Sequence, residues 1–284
     1  MLRLAGPEDF SSLCAIWRAG FGDGEAYVRL FWQNWRENCR PYLWQDEAGP
    51  AAALFLLPVE YRRGGERVPL WYLYAAATLP QRQGEGIMSR MLEEVYRRES
   101  GGRAGIVLVP GEPSLFSFYG ARGYRAWGGL RRLAVERGGC AGEGCPLTPL
   151  SPEELAGRRE AAFLAGGYLA HGPAGLRHAV ADCRFWGGDA LGFAGGHLLY
   201  QRDGAELVIK ELAAPDDGRV LAALAALFAQ TGAARARLVL PVFSPLFAGR
   251  GEIGPFAQLR PAPGAPGGLL GAGTESGYAG LLYD

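Results

Sequence analysis

Lysine is nearly missing from this 284-residue chain: of 29 Lys and Arg residues, Lys210 is the only lysine. Neither sign of charge predominates, because Asp and Glu also total 29 and the formal net charge is zero. Chains that live on nucleic acid or an anionic membrane carry a basic excess, so neither partner is expected. Long hydrophobic runs are missing too. The apolar stretch from Val220 to Phe228 is far shorter than the roughly 20 residues a membrane span requires. The start runs straight into Glu8 and Asp9, without the basic and apolar segments of a secretory signal, and a cytoplasmic location is the expectation. The five cysteines (Cys14, Cys39, Cys140, Cys145 and Cys183) are few, odd in number and widely spread, which excludes a disulfide framework. Cys140 and Cys145 bracket a Gly-rich turn with no His or Cys partner nearby, a poor zinc knuckle, so no metal is expected.

Hydrophobic residues make up 49% and charged residues 20%, the balance of an ordinary globular protein, which excludes disordered, collagen-like and coiled-coil classes. The length allows one large domain or two small ones. Leu2 to Leu4 reads as a strand and Pro7-Glu8-Asp9 as a helix start, with Phe10, Leu13, Cys14, Trp17 and Phe21 at helical spacing. Tyr27, Leu30, Phe31, Asn34 and Trp35 mark a second helix. Ala51 to Leu57 and Val68 to Thr78 read as an antiparallel hairpin, followed by an amphipathic helix from Ile87 and a buried strand at Ile106 to Val109. A short helix opens at Phe116 to Tyr119, and Tyr124 to Ala134 returns as a strand. Residues 136–146 lose all hydrophobic period and read as a linker. The rhythm then resumes, with helices after Ser151, at Gly175–Arg184 and at Arg219–Gln230. A hairpin turns at Asp203-Gly204, and strands follow at Leu238–Val242 and Tyr278–Tyr283. Two halves with one order of elements suggest an internal duplication.

The segment richest in chemistry is Ala76-Ala77-Thr78-Leu79-Pro80-Gln81-Arg82-Gln83-Gly84-Glu85-Gly86-Ile87-Met88-Ser89. A strand ends, Pro80 forbids its continuation, two glycines allow a tight turn and a helix starts, so successive N–H groups and a positive helix end converge on one small volume suited to a pyrophosphate. A dinucleotide fold places its glycines after the first strand with an acid about 20 residues on, and a P-loop needs a Gly-Lys pair. Neither pattern is met.

These residues resemble the GNAT superfamily of N-acetyltransferases, whose acyl-CoA motif is Gln/Arg-x-x-Gly-x-Gly/Ala. Gln83-Gly84-Glu85-Gly86-Ile87-Met88 is aligned to it here, with Met88 as a departure, one that the Eis-type tandem branch tolerates. Ser114-Leu115-Phe116-Ser117-Phe118-Tyr119-Gly120-Ala121-Arg122-Gly123-Tyr124 is similar to a second segment of that branch. The resemblance is specific over residues 70–126 and architectural elsewhere, and the chain is too short for the branch's sterol-carrier-like third domain. It implies a mixed α+β (α/β) fold of two GNAT-like domains in tandem, a catalytic one at 1–137 and a degenerate one at 147–284.

By the same resemblance, the backbone of Ala76, Ala77 and Thr78 holds the pantetheine arm of acetyl-CoA, Gln83, Gly84, Glu85, Gly86, Ile87, Met88 and Ser89 cradle its pyrophosphate, and Ser114 lies near the thioester. Tyr119 becomes the general acid that protonates the departing thiolate, against the plain reading of a core aromatic between Phe116 and Phe118. For the base, a terminal carboxylate is implied, hence Asp284, although here it ends a different domain. Asp23, Glu25 and Glu60 are the acidic alternatives near the acceptor side. His171, His178 and His197 read as structural. Asp216 and Asp217 replace the Gly-rich turn in the second half, read as helix caps, and would repel a pyrophosphate. Trp17, Trp32, Trp35, Trp44 and Tyr27 crowd the first two helices, either as packing or as an aromatic acceptor cleft. The implied function is acetyl transfer from acetyl-CoA to a primary amine, with a non-catalytic acyl-CoA-binding module as the alternative. The acceptor, a small molecule or a peptide, and the oligomeric state are left open.

Overall fold

A computed structural model describes residues 1–140, 144–268, 270, 271, 273 and 277–281. In chain order the elements are β1 (Leu2–Leu4), α1 (Phe10–Phe21), α2 (Glu25–Trp35), β2 (Arg40–Asp46), β3 (Gly49–Arg63), β4 (Glu66–Thr78), α3 (Ile87–Glu99), β5 (Gly105–Leu108), α4 (Pro113–Gly120) and β6 (Arg125–Glu136). The second half follows with β7 (Thr148–Pro149), α5 (Pro152–Phe163), β8 (Tyr168–His171), α6 (Pro173–Phe185), β9 (Asp189–Phe193), β10 (Gly196–Asp203), β11 (Glu206–Ala213), α7 (Asp217–Thr231), β12 (Arg235–Pro241) and β13 (Glu252–Pro261). This is the mixed α+β class expected. The helix starts are the ones the local chemistry dictates. At α5, for example, Ser151 Oγ accepts from the Glu154 N–H at 3.1 Å while the Glu154 carboxylate accepts from the Ser151 N–H at 2.9 Å.

The strands form one sheet in the order β1-β2-β3-β4-β5-β13-β6-β12-β11-β10-β9-β7, with β8 added against β3. That order reads the same from both ends when β1, β2, β3, β4, β5 and β13 are matched to β7, β9, β10, β11, β12 and β6. Strand direction obeys the same match: β4 pairs β5 in parallel, as β11 pairs β12, and every other matched pair is antiparallel. The duplication suggested by element order is thus present as a pseudo-twofold, with its centre between β13 and β6.

The two halves do not close separately. β6 of the first half pairs β12 of the second, and β13 of the second half lies between β5 and β6 of the first. β13 forms although it contains Gly254, Pro255 and Pro261, residue types that argue against a strand. The structure tolerates Pro255 because β5 pairs only with Gln258–Pro261, so at Pro255 the strand has a neighbour on one side alone, Gly129 of β6. The tail strand expected at Tyr278–Tyr283 is not formed over its described part: Tyr278 makes an isolated bridge to Tyr168, and Leu282 and Tyr283 lie outside the described residues.

Packing follows the same symmetry. One face carries a core shared by both halves, in which α1, α2, α5 and α6 bury Leu13, Trp17, Phe31, Trp35, Leu155, Phe163 and Leu176. The opposite face carries a core under α3 in the first half and one under α7 in the second. The matched helices α2 and α6 pack on each other, with Phe31 and His178 at 5.4 Å. At the heart of the second half, Arg159 Nε donates to both Glu211 oxygens at 2.9 and 3.1 Å, and all three members of the cluster Arg159, Glu211 and His197 are buried. Burial alone would raise the Glu211 carboxyl, but Arg159 and His197 beside it prevail and hold it at about 2. Burial pushes His171 and His178 down to about 3, so both are neutral side chains of the interior at neutral pH. All five cysteines are free thiols. Among the described residues no helix is long and apolar enough to cross a membrane.

Candidate functional site

A cleft of about 1050 Å³ opens where β4 and β5 part. The two strands pair only at Trp71–Leu73 with Ile106–Leu108, and the reason lies in β4. Ala53 faces Ala77 while Phe55 faces Tyr74, so Ala75 and Ala76 together oppose the single residue Leu54, and Ala75 takes a left-handed φ of 49°. This is a β-bulge, which bends its strand and re-aims the residues after it. Beyond Leu73 the edge of β4 therefore faces the cleft rather than β5. α1 can lie close over this edge because Gly20 has no side chain: a Cβ there would come within 2.6 Å of the Ala77 Cβ.

The turn leaving β4 runs through Gly84 and Gly86, both left-handed (φ 81° and 73°), and Gly86 is the residue that caps α3. No side chain caps this helix, so the first-turn N–H groups at Ile87, Met88 and Ser89 are open to a ligand at the cleft wall. A Cβ at Gly84 would meet nothing within 4 Å, and one at Gly86 only Arg90 Nη1 at 3.4 Å. The turn is braced from outside by Arg82, which donates to Asp46 at 2.6 Å and to Glu85 at 2.8 Å. These observations move the motif register by two residues. Gln81-Arg82-Gln83-Gly84-Glu85-Gly86 puts both glycines where φ must be positive and removes Met88 as a departure. Met88 packs instead with the core under α3.

Most of the residues singled out from the sequence meet here. Ala76, Ala77, Thr78, Gln83, Gly84, Gly86, Ile87, Met88, Ser89 and Tyr119 all line the cleft. Glu85 does not, because Arg82 turns its carboxylate outward. Ser114 is exposed on α4, off the cleft wall, with its hydroxyl 3.5 Å from Glu112. Asp284 lies outside the described residues. Of the acidic alternatives, Asp23 lines the cleft and accepts from Trp17 Nε1 at 2.7 Å, whereas Glu25 pairs with Arg29 and Glu60 with Arg62, both off the cleft wall. Of the five crowded aromatics, Trp17 and Tyr27 reach the cleft. Trp35 is core, Trp32 packs on Phe10, and Trp44 lies under Arg90. Sequence reasoning passed over Tyr74, Ala75, Arg82 and Trp186, which also line it. Trp186 follows α6 and carries no local signal, since only the packing of α6 on α2 brings it there.

Tyr119 sits between Phe118 and Tyr124, with ring centroids at 5.2 and 5.6 Å. It is buried, and burial pushes its phenol up to about 12, partly offset by Arg122. The group is a protonated donor across the physiological range.

The matched junction in the second half is closed. Asp216 caps α7 by accepting the Arg219 N–H at 2.9 Å, as expected. Asp217 does not cap the helix but accepts the Phe247 N–H at 2.7 Å. Arg131 of β6 adds four hydrogen bonds to the carbonyls of Ser244, Leu246, Phe247 and Arg250. The loop occupying the place of α4 is thereby tied down over the helix end.

Residues 1–127 match the family model of the GNAT acetyltransferase domain. No curated protein matches the sequence. Among solved structures, the chain is similar to a GCN5-related N-acetyltransferase from Kribbella flavida, at 18% identity and a TM-score of 0.67, over 91% of this chain and 70% of that one. It is similar to Eis1 from Mycobacterium abscessus at 16% identity and a TM-score of 0.63, over 92% and 74%. A Pyrococcus horikoshii protein aligns over 100% of this chain and 95% of its own, at 13% identity and a TM-score of 0.64. Residues 1–127 are thus a GNAT acetyltransferase domain, and the chain over nearly its full length shares the fold of Eis1 and the other GCN5-related structures it is similar to.

Proposed function

We propose that the protein transfers an acetyl group from acetyl-CoA to a primary amine at the cleft between β4 and β5. The observation that carries this reading is the meeting, on one cleft, of an unpaired strand edge, an uncapped helix end behind two left-handed glycines, and a buried, protonated tyrosine. The β4 edge from Ala76 to Thr78 offers backbone groups to the pantetheine amides. The N–H groups at Ile87 to Ser89, with the positive end of α3, suit the pyrophosphate. As the acceptor nitrogen bonds to the thioester carbon and the C–S bond breaks, the Tyr119 hydroxyl donates its proton to the departing sulfur, and the proton shed by the newly acylated nitrogen restores the phenol. Asp23, held by Trp17, orients the acceptor ammonium before it loses its proton to solvent. The chain divides into a catalytic unit, 1–137, and a degenerate unit, 147–284, with the last strand of each, β6 and β13, exchanged. In the second unit Asp216 and Asp217 fill the place an anion would take.

The cofactor turn is tested with two substitutions at Gly86. Both Gly86→Ala and Gly86→Glu impose a side chain at positive φ, at a cost of roughly 1–2 kcal/mol. Only the glutamate adds a negative charge where the pyrophosphate approaches. Acetyl-CoA binding by calorimetry should survive in the alanine variant and be lost in the glutamate variant, with similar melting temperatures for the two. Equal affinities in both variants would remove the turn from the site.

A further inference from the structure

Three of the large apolar side chains exposed on the molecule, Phe21, Phe185 and Trp186, gather at one end of the cleft, at 49, 42 and 44% exposure. Phe21 and Trp186 line it, and Phe185 and Trp186 both pack on Tyr27, at 5.3 and 5.8 Å. Trp17 continues the wall, 5.9 Å from Phe21 and 5.4 Å from Tyr74. Single exposed rings are ordinary, but a cluster of them on a concave surface marks a recognition site.

Charge at this end is sparse. Asp23 is the carboxylate on the wall, with Oδ2 fixed by the Trp17 indole. Asp182, behind the wall, is buried and accepts from the Tyr27 hydroxyl at 2.9 Å and from Gln201 at 2.6 Å. Arg82, at the far end by the Gly-rich turn, is engaged by Asp46 and Glu85. Glu112 precedes α4 on the other wall.

We propose that the acceptor is a monoamine with a flat, apolar body, an arylalkylamine in chemical class, its ammonium beside Asp23 and its ring against Trp186. The inference rests on the transferase reading above. Asp23, the oriented carboxylate that the described residues place among these rings, fits one ammonium attached to an aromatic group, since aromatic faces hold both rings and cations. Among the described residues the other carboxylate lining the cleft, Glu112, stands before α4 on the opposite wall, so the further ammonium groups of a polyamine or aminoglycoside would lie among these rings away from it, and desolvating an unpaired charge is costly. Trp186 is then a specificity-determining residue supplied by the half that does not hold the donor, which gives that half a role in the reaction.

The test is CoA release at saturating acetyl-CoA with 2-phenylethylamine, butylamine, spermidine and an aminoglycoside, for wild type, Trp186→Ala and Trp186→Phe. The expected result is a kcat/KM for 2-phenylethylamine roughly tenfold above the others. Trp186→Ala should erase that preference through KM, and Trp186→Phe should restore most of it. Turnover that favours spermidine or the aminoglycoside, or a Trp186→Ala variant that keeps the preference, overturns the inference and leaves the transferase reading standing. Acetyl-CoA binding without release on any amine overturns the transferase reading and this inference with it.

Discussion

The two roles weighed for Tyr119 do not exclude each other, since its ring is packed between Phe118 and Tyr124 as core and the residue also lines the cleft, where the acid role is proposed for it. Tyr119→Phe keeps the ring, so stability should change by no more than about 1 kcal/mol. If the hydroxyl delivers the proton, kcat should fall by roughly 10²–10⁴ with acetyl-CoA affinity unchanged, because the proton moves only in the transition state. Because burial raises the phenol to about 12, it stays protonated below that value. The wild-type kcat should therefore show no alkaline loss up to about pH 10. A variant with wild-type turnover, or a wild-type profile falling between pH 8 and 10, would count against the acid role. Tyr119 was legible from its motif. Asp23 was legible only as one acid among several, because a carboxylate's partner across space, here Trp17 Nε1, leaves no mark in its own neighbourhood of the chain.

At the scale of elements, the same strand–turn–helix junction occurs twice and is put to opposite uses. After β4 it is long, Gly-rich and uncapped. After β11 it is short, and Asp216 satisfies the helix end. Asp216→Ala should cost about 1 kcal/mol, the usual value of an N-cap, read as a lower melting temperature. Acetyl-CoA affinity and stoichiometry should not change, and a second binding event in calorimetry would show that the second half is competent after all. The helices and the β10–β11 hairpin were legible because their signals are local: apolar spacing, caps and an Asp-Gly turn. The bulge at Ala75 was not. Nothing distinguishes Ala75 from Ala76 and Ala77 in sequence, and its left-handed φ follows from the pairing of β4 with β3.

The whole molecule is a single sheet in which each half completes the other. Residues 1–137 expressed alone would leave β5 without β13, and β6 without either neighbour, exposing long unpaired edges. That fragment should be aggregated or molten by size-exclusion chromatography and circular dichroism, and co-expression with residues 147–284 should restore a soluble complex that binds acetyl-CoA. A monomeric 1–137 fragment that unfolds cooperatively and binds acetyl-CoA normally would show that the exchange is dispensable.

By itself the sequence determined the class of fold, the position of most helices, the Gly-rich turn and its tyrosine, because each depends on residues within one or two turns of chain. It also carried the duplication as an order of elements. The tertiary structure alone decided that β6 and β13 change places, that β13 forms despite Pro255, that β4 bends away from β5 to open the cleft, and that Trp186 closes its far end. These features arise from pairings between residues about 20 to more than 150 positions apart in the chain, from Phe55 with Tyr74 to Tyr27 with Trp186. Hydrophobic period and propensity report which face of an element is buried, and they carry no information about which distant element buries it.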